Sequence, residues 1–427
     1  MSQTDRHVRA HGFHHSKQHG AIFRGWLVVA GAFALTLLGF GSAYTFSAFT
    51  EPLEHAFHAS RGSVSLVFSL AGFLYFALGI VSGPLADRWG SRRIAALGMF
   101  VAGIGMVLAG FASSLTGVYL AYGLGIGLGV GLSYVPAIGA VQRWFVRRRG
   151  LASGLAVSGI GVGTLVMPPL ASSLIAWLGW RHAYMVLGLL VAVLGCGLAL
   201  LISNNPHEHG LAPDGDPVDI EAHHAQKHGV SIATAVTSWR FAGLYLACLI
   251  GSFGLFVPFV HLVPYAQDHG IAPSSAVLLL GVIGIGSTLG RFALGGLADQ
   301  IGRLLGVLAM FIGIGLSMIM WAFSTEIWSL GLFAFVFGVF YGGFVALLPA
   351  VVMDDFGGRN VSGLIGILYT SVAFGTLIGP SFAGFAFDVS HSYSLPIFAS
   401  VISSVVAACI LAGTARARVP LHQKDLP

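Results

Sequence analysis

The feature that most constrains this chain is the recurrence of apolar segments long enough to cross a bilayer. They lie near 25–50, 62–84, 94–113, 116–142, 150–175 and 181–202, then near 239–266, 273–297, 304–323, 327–352, 361–386 and 393–413. A spanning helix needs about 20 apolar residues, and each segment approaches or passes that length. With no water to satisfy its backbone, such a segment must bond within itself, which makes it an α-helix. Charged residues are 9% of the chain, where a soluble protein carries about a quarter, so a soluble fold is excluded. The net charge of +5 is therefore no sign of nucleic-acid binding, because in a membrane protein the placement of basic residues carries the meaning. Cys196, Cys248 and Cys409 all fall within apolar runs, so no disulfide framework is expected.

Lys and Arg collect in cytoplasmic loops. With the N-terminus inside, the inner segments hold 18 of the 21 basic residues, the outer loops hold only Arg61 and Arg181, and one residue, Arg291, belongs to neither. Both termini are thus expected in the cytoplasm. The expected organisation is a polar tail (1–23), a six-helix bundle (24–202), a cytoplasmic linker (203–236), a second six-helix bundle (237–413) and a short tail (414–427). The first tail is His-rich but has no apolar core, so it reads as solvated chain and not as a cleaved signal peptide. No Cys or fixed ligand spacing accompanies its histidines, and no metal site is expected there or elsewhere.

The two bundles echo each other. "GPLADRWGSRR" (Gly83–Arg93) returns as "GGLADQIGR" (Gly295–Arg303), which pairs Asp87 with Asp299 at an offset of 212. The same offset lays "GVGTLVMP" (Gly161–Pro168) on "AFGTLIGP" (Ala373–Pro380). Two independent matches at one spacing argue for an internal duplication, the layout of major facilitator transporters.

"GPLADRWGSRR" resembles the signature loop between the second and third helices of the major facilitator superfamily. The resemblance covers the whole chain and implies an all-α membrane protein of twelve transmembrane helices in two pseudo-symmetric bundles. In that loop Gly83 and Gly90 allow close approach, while Asp87 can pair with Arg88 or Arg92 or face a helix N-terminus, so the segment can act as a gate latch. The second copy keeps Asp299 and Arg303 but has Gln300 where the first has Arg88. "WFVRRRGLASGLAVSGIGVG" (Trp144–Gly163), with "RGW" (Arg24–Trp26) and "RGSVSLVFSL" (Arg61–Leu70), is similar to monocarboxylate transporters and the related oxalate/formate-antiporter-like bacterial family.

Arg291 stands eight residues before Asp299, about 12 Å deeper at about 1.5 Å per residue, hence near the middle of a core about 30 Å thick. Snorkelling suits helix ends, and the repeat counterpart is Gly79, so packing alone does not require a cation here. An ionised group at this depth points to a functional site, and a planar guanidinium is suited to a carboxylate. The family resemblance implies the same role, as the carboxylate partner on the eighth helix. The sequence departs from the animal members in carrying Ser287 where they have an Asp, and in lacking a Lys in the first span. The eleventh span has no Lys or Arg, unlike the oxalate antiporter, so charge counting favours one carboxylate over two.

Further substrate-binding candidates are Ser287, His261, Tyr341, Tyr134, Tyr369 and Tyr44, polar groups at or near similar depth. Candidates for carrying a coupled proton are His261, Asp268 and Asp388. The expected function is secondary active transport of a small monocarboxylate such as lactate or pyruvate, with proton symport. Carboxylate exchange is the alternative, and a non-transporting sensor a more distant one. The chain is expected to work as a monomer in an inner (plasma) membrane of bacterial type, without cofactor. No nucleophile elbow, phosphate loop or metal pattern suggests an enzyme.

Overall fold

The computed structural model describes residues 23–145, 148–211, 213–215, 230–357 and 361–416. Most of the His-rich tail, the middle of the linker and the last residues lie outside that set. Twelve spans follow in order. They are α1 (Arg24–Phe57, bent at Thr45), α2 (Arg61–Ala77 and Gly79–Trp89, bent by 44°), α3 (Ser91–Gly110) and α4 (Leu115–Trp144). The continuous stretch Arg149–Ala199 supplies both α5 and α6, which part at Gly179, where φ is 76° and ψ 160°. The second half comprises α7 (Trp239–Asp268, broken at Phe256), α8 (Pro273–Ile301), α9 (Arg303–Ala322), α10 (Ile327–Phe356), α11 (Val361–Ser390) and α12 (Ser394–Arg416). Several helices outrun their apolar cores, as α1 does by continuing to Phe57, because polar residues at a membrane surface extend a helix at no desolvation cost.

The internal duplication is visible in the backbone itself. Positive φ angles fall at His58 and Gly270, at Gly90 and Gly302, and at Gly179 and His391, each pair 212 residues apart. Gly90 and Gly302 have nearly the same conformation, φ 89° and 96°, between the second and third helices of their halves. That region is closed to ordinary side chains, which accounts for a glycine in both copies of the loop motif.

The halves meet along two seams, α2 against α11 and α5 against α8. These seams obey the same repeat. A Cβ placed on Gly72 of α2 would come 3.2 Å from Thr376 Cβ of α11, and one placed on Gly284 of α8 would come 3.2 Å from Thr164 Cβ of α5. Each threonine turns its hydroxyl back to its own helix, Thr376 Oγ1 donating to the Val372 carbonyl and Thr164 Oγ1 to that of Ile160, both at 2.8 Å. Small residues at such crossings let backbones approach and slide, since in lipid it is packing that joins helices.

Gly72→Val and Gly284→Val should each wedge a seam, at a cost of about 1–3 kcal/mol for an overpacked contact. The midpoint of thermal unfolding in detergent is expected to fall by several degrees for both. Gly197→Ala, whose added methyl meets nothing within 4 Å, should leave it unchanged.

Candidate functional site

Arg291 lies on α8 beside the α5 seam, with 5% of its surface exposed. Nη1 donates to the Val157 carbonyl of α5 at 2.6 Å. Nε and Nη2 are buried and have no hydrogen-bond partner among the described residues. Those two nitrogens form one flank of the guanidinium, whose parallel N–H vectors match the two oxygens of a carboxylate. Burying such donors unpaired is costly, and an acceptor placed against this flank would relieve that cost.

The phenols of Tyr341, Tyr134, Tyr44 and Tyr369 are close enough to interact electrostatically with Arg291, and they come from α10, α4, α1 and α11. Tyr44 and Tyr341 hydroxyls are 3.0 Å apart and join the two halves. Tyr44 also stacks on Phe259 of α7, with ring centroids 4.4 Å apart. Ser287 precedes Arg291 by one helical turn, and its hydroxyl is likewise buried without a partner. At this level α8 and α10 are in close contact, since a Cβ on Gly342 would collide with the backbone of Ser287. Tyr134, Tyr341 and Tyr369 also line a cavity between the halves, together with Phe40, Phe76, Ile160, Phe256 and Val372. Of the seven substrate-binding candidates, Arg291, Ser287 and the four tyrosines thus share one neighbourhood.

His261 does not join them. It belongs to a polar cluster toward the end of the bundle opposite the one where α1 begins and α12 ends. The Pro380 carbonyl can only accept, so Nε2 of His261 donates to it at 2.8 Å, and in the neutral ring Nδ1 accepts from the Tyr393 hydroxyl at 3.1 Å. The reason lies in its neighbours, because α11 presents the Pro380 carbonyl to a fully buried imidazole.

Arg61, at the start of α2, organises the rest of this cluster. Its Nε donates to Glu54 at 3.2 Å, and Nη1 donates to Asp268 at 2.6 Å and to the Tyr393 hydroxyl at 3.1 Å. The guanidinium carbon sits 4.3 Å from the centre of the Phe387 ring. Asp388, at the end of α11, accepts the backbone N–H groups of Arg61 and Gly62 at 2.9 Å each. A carboxylate from one half therefore caps a helix N-terminus of the other, where it also meets the positive end of the helix dipole. Ser47 Oγ donates to the Val260 carbonyl at 3.1 Å, and Gln267 Nε2 to Glu51 at 2.9 Å. The Arg61–Glu54 bond and these two His261 bonds each stay within one half; the others cross between halves and together seal this end. Asp268 and Asp388, expected from sequence as candidates for carrying the coupled proton, are both members of this seal. Arg61, Glu54 and Tyr393 were not singled out as site residues. Arg61 was nevertheless conspicuous, as one of only two basic residues in the outer loops.

At the opposite end three arginines of the described residues make bonds within their halves. Arg92 Nε donates to the Ile202 carbonyl at 2.7 Å, Arg303 Nη1 to Asp354 at 2.8 Å, and Arg240 Nη1 to Asp355 at 3.3 Å. Arg88 is exposed, and Gly83 faces Val135 of α4. The side chains of Asp87 and Asp299 lie outside the described residues.

Two pseudo-symmetric six-helix halves around a buried central site define a membrane transporter, not an enzyme. The family model described as Major Facilitator Superfamily matches residues 31–303 and 242–426. Similar curated proteins include human (Homo sapiens) monocarboxylate transporter 11, 32% identical over 87% of this chain and 78% of that one. Rat (Rattus norvegicus) monocarboxylate transporter 3 is 31% identical over 94% of this chain and 82% of that one. Among solved structures, a bacterial homolog of the human lysosomal transporter Spinster, inward-facing and unoccupied, is similar with a TM-score of 0.69. It is 18% identical over 93% of this chain and 98% of that one, a likeness of fold alone. The chain belongs to the major facilitator superfamily and, within it, to the monocarboxylate transporter family.

Hydrogen bonds to a charged group contribute about 1.5–3 kcal/mol, and Asp388 makes two across the halves. Asp388→Ala should therefore loosen the seal. In a chain stripped of its native cysteines, labelling of Ser47→Cys by an impermeant maleimide should rise about tenfold or more, a shift of about 1.4 kcal/mol. An unchanged rate would mean that apolar packing alone holds this end.

Proposed function

We propose that the protein carries a monocarboxylate anion across the membrane by alternating access, with Arg291 as the carboxylate site. The observation that carries this reading is the buried Nε–Nη2 flank of Arg291, unpaired among four tyrosines contributed by both halves. One buried cation balances one negative charge, which favours a monoanion such as lactate or pyruvate over a dianion. An empty site would expose an uncompensated guanidinium to the closing apolar interface, so carriage is favoured only when the anion is bound. Because both halves of one chain complete the site, a single copy suffices.

With both termini in the cytoplasm, the sealed end faces outward. A coupled proton arriving from outside reaches Asp268, Glu54, Asp388 and His261 before it reaches Arg291. Glu54 and Asp268 there share the Arg61 guanidinium, so protonation would act on the seal, and symport follows if the loaded carrier closes that end only with a proton aboard. This differs from a proton relay beside the substrate, for which the neighbourhood of Arg291 supplies tyrosines but no carboxylate among the described residues.

In proteoliposomes, Arg291→Gln should lower the rate of carboxylate uptake at limiting substrate by roughly 30-fold or more, since removing one partner of a buried charge pair costs about 2–5 kcal/mol. Arg291→Lys should rescue only a small part, because an ammonium cannot offer the paired flank. Uptake unaffected by Arg291→Gln would end this assignment. For coupling, an inside-alkaline gradient should drive accumulation into vesicles that hold no carboxylate, and Asp268→Asn should blunt that drive. Accumulation that needs internal carboxylate and ignores the gradient would instead establish exchange.

A further inference from the structure

A proton that enters through the sealed end meets a geometric obstacle. His261 lies beneath the seal and is fully buried. It is faced by Arg61 and Ser65 of α2, by Asp388 and the Pro380 carbonyl of α11, and by Tyr393 just before α12. While this end stays closed, a proton held at His261 reaches the cytoplasm only through the interior, by way of the central cavity.

The α2–α11 seam carries a row of hydroxyls in that direction. Ser65 Oγ stands 3.3 Å from His261 Nε2, across the two halves, and donates to the Arg61 carbonyl at 2.7 Å. One turn deeper on α2 comes Ser69, fully buried, whose hydroxyl has no partner among the described residues. Its neighbours on the helix meet α11. A Cβ on Gly62 would strike Phe385, one on Gly384 would come 2.9 Å from Ser65 Oγ, and one on Gly72 would strike Thr376. At about 3.6 residues per turn, Ser69 falls within the arc that Gly62, Ser65 and Gly72 define, so it faces the same seam. The next hydroxyl is Tyr75 Oη, which lies 3.5 Å from a Cβ on Gly72 and is likewise buried without a partner among the described residues. Tyr75 is close enough to interact electrostatically with Tyr44 and Tyr341, whose own hydroxyls are 3.0 Å apart in the neighbourhood of Arg291.

Buried hydroxyls without a protein partner are uncommon, and ordered water is their usual complement. A helical turn rises about 5.4 Å, a gap that one water closes with two hydrogen bonds of about 2.8 Å. A hydroxyl both donates and accepts, so it can take a proton on its oxygen and pass on its own.

We infer that Ser65, Ser69 and Tyr75, with water between them, form a proton path along the α2–α11 seam that links His261 to the carboxylate site. The inference rests on the proton-symport reading and says how a proton taken at the seal completes its crossing. No co-reactant is needed. Tyr393 hands its hydroxyl proton to His261 Nδ1 and takes one from outside, and the ring releases the proton on Nε2 toward Ser65. Each hydroxyl or water then receives one proton and releases another, until one reaches the water beside the bound anion and leaves with it to the cytoplasm. Rotation of the hydroxyls and return of the imidazole to its first tautomer reset the path. Ser69 and Tyr75 are positioning residues, which hold water and protons without touching the cargo.

The test compares two assays on the same proteoliposomes with radiolabelled lactate. One is accumulation driven by an inside-alkaline gradient into vesicles that hold no lactate. The other is equilibrium exchange of labelled for unlabelled lactate at equal pH, in which a proton already aboard need not leave. Ser69→Ala and Tyr75→Phe, singly and together, keep most of the packing and remove the hydroxyls. The double variant should lose gradient-driven accumulation rate by about tenfold or more, less than the roughly hundredfold or greater contribution of a positioned proton-transfer group because water can replace part of the path. Exchange should stay within about twofold of the unmodified protein on the same reasoning. Equal losses in both assays would mean that these residues serve packing, and would overturn the inference, as would accumulation at the unmodified rate in the double variant. Unmodified protein that exchanges lactate but ignores the gradient would overturn the path and leave Arg291 as the carboxylate site. Unmodified protein that neither exchanges nor accumulates lactate or pyruvate would overturn the transport reading and this inference together.

Discussion

The constraint on which the centre of this protein turns is the burial of Arg291, whose Nη1 donates to the Val157 carbonyl. That bond ties a charge on α8 to the backbone of α5 across one of the two seams between the halves. It also fixes the plane of the guanidinium, so that the Nε–Nη2 flank is left to face the tyrosine-lined interior. The energetic logic is that of a deliberate deficit. A buried cation with an unsatisfied flank destabilises the empty carrier, and an arriving carboxylate recovers that cost. On the proposed reading, binding and conformational change would be coupled through this one group.

What surrounds this group is nearly symmetric. Gly72 against Thr376 and Gly284 against Thr164 make the seams equivalent in construction, so the halves can rock about them with similar packing in either state. Asymmetry is confined to the chemistry. Arg291 has only Gly79 as its counterpart, and the Arg61 cluster joins the two halves at one end. The seal draws on charge-assisted bonds that water can replace, whereas the seams draw on packing that persists in lipid. A device that must open and a device that must slide are thus built from different forces.

The fold was legible in the sequence because bilayer physics acts locally. A run of apolar residues, a glycine at a sharp turn and a repeat offset are each visible within one segment, and the backbone at Gly90 and Gly302 follows from them. Arg291 was legible for the same reason, since a charge amid apolar residues needs no neighbour to stand out. The neighbourhood of Arg291 was partly legible, because depth along a helix can be counted and places Tyr44, Tyr134, Tyr341 and Tyr369 at similar levels. Depth says nothing of azimuth, however. His261 was a candidate for both roles from its position along the helix, but its place was decided by Pro380 and Tyr393, more than a hundred residues away. The Arg61–Asp388 cap was hidden for the same reason, because its partners are separated by 327 positions and neither is unusual at a helix end.

The most direct measurement of the central claim is a structure of the protein with a monocarboxylate bound. It should show the two carboxylate oxygens on Nε and Nη2 of Arg291, with the Nη1 bond to Val157 retained and the body of the molecule against the aromatic wall. A carboxylate held elsewhere, with that flank of Arg291 still unpaired, would contradict the account.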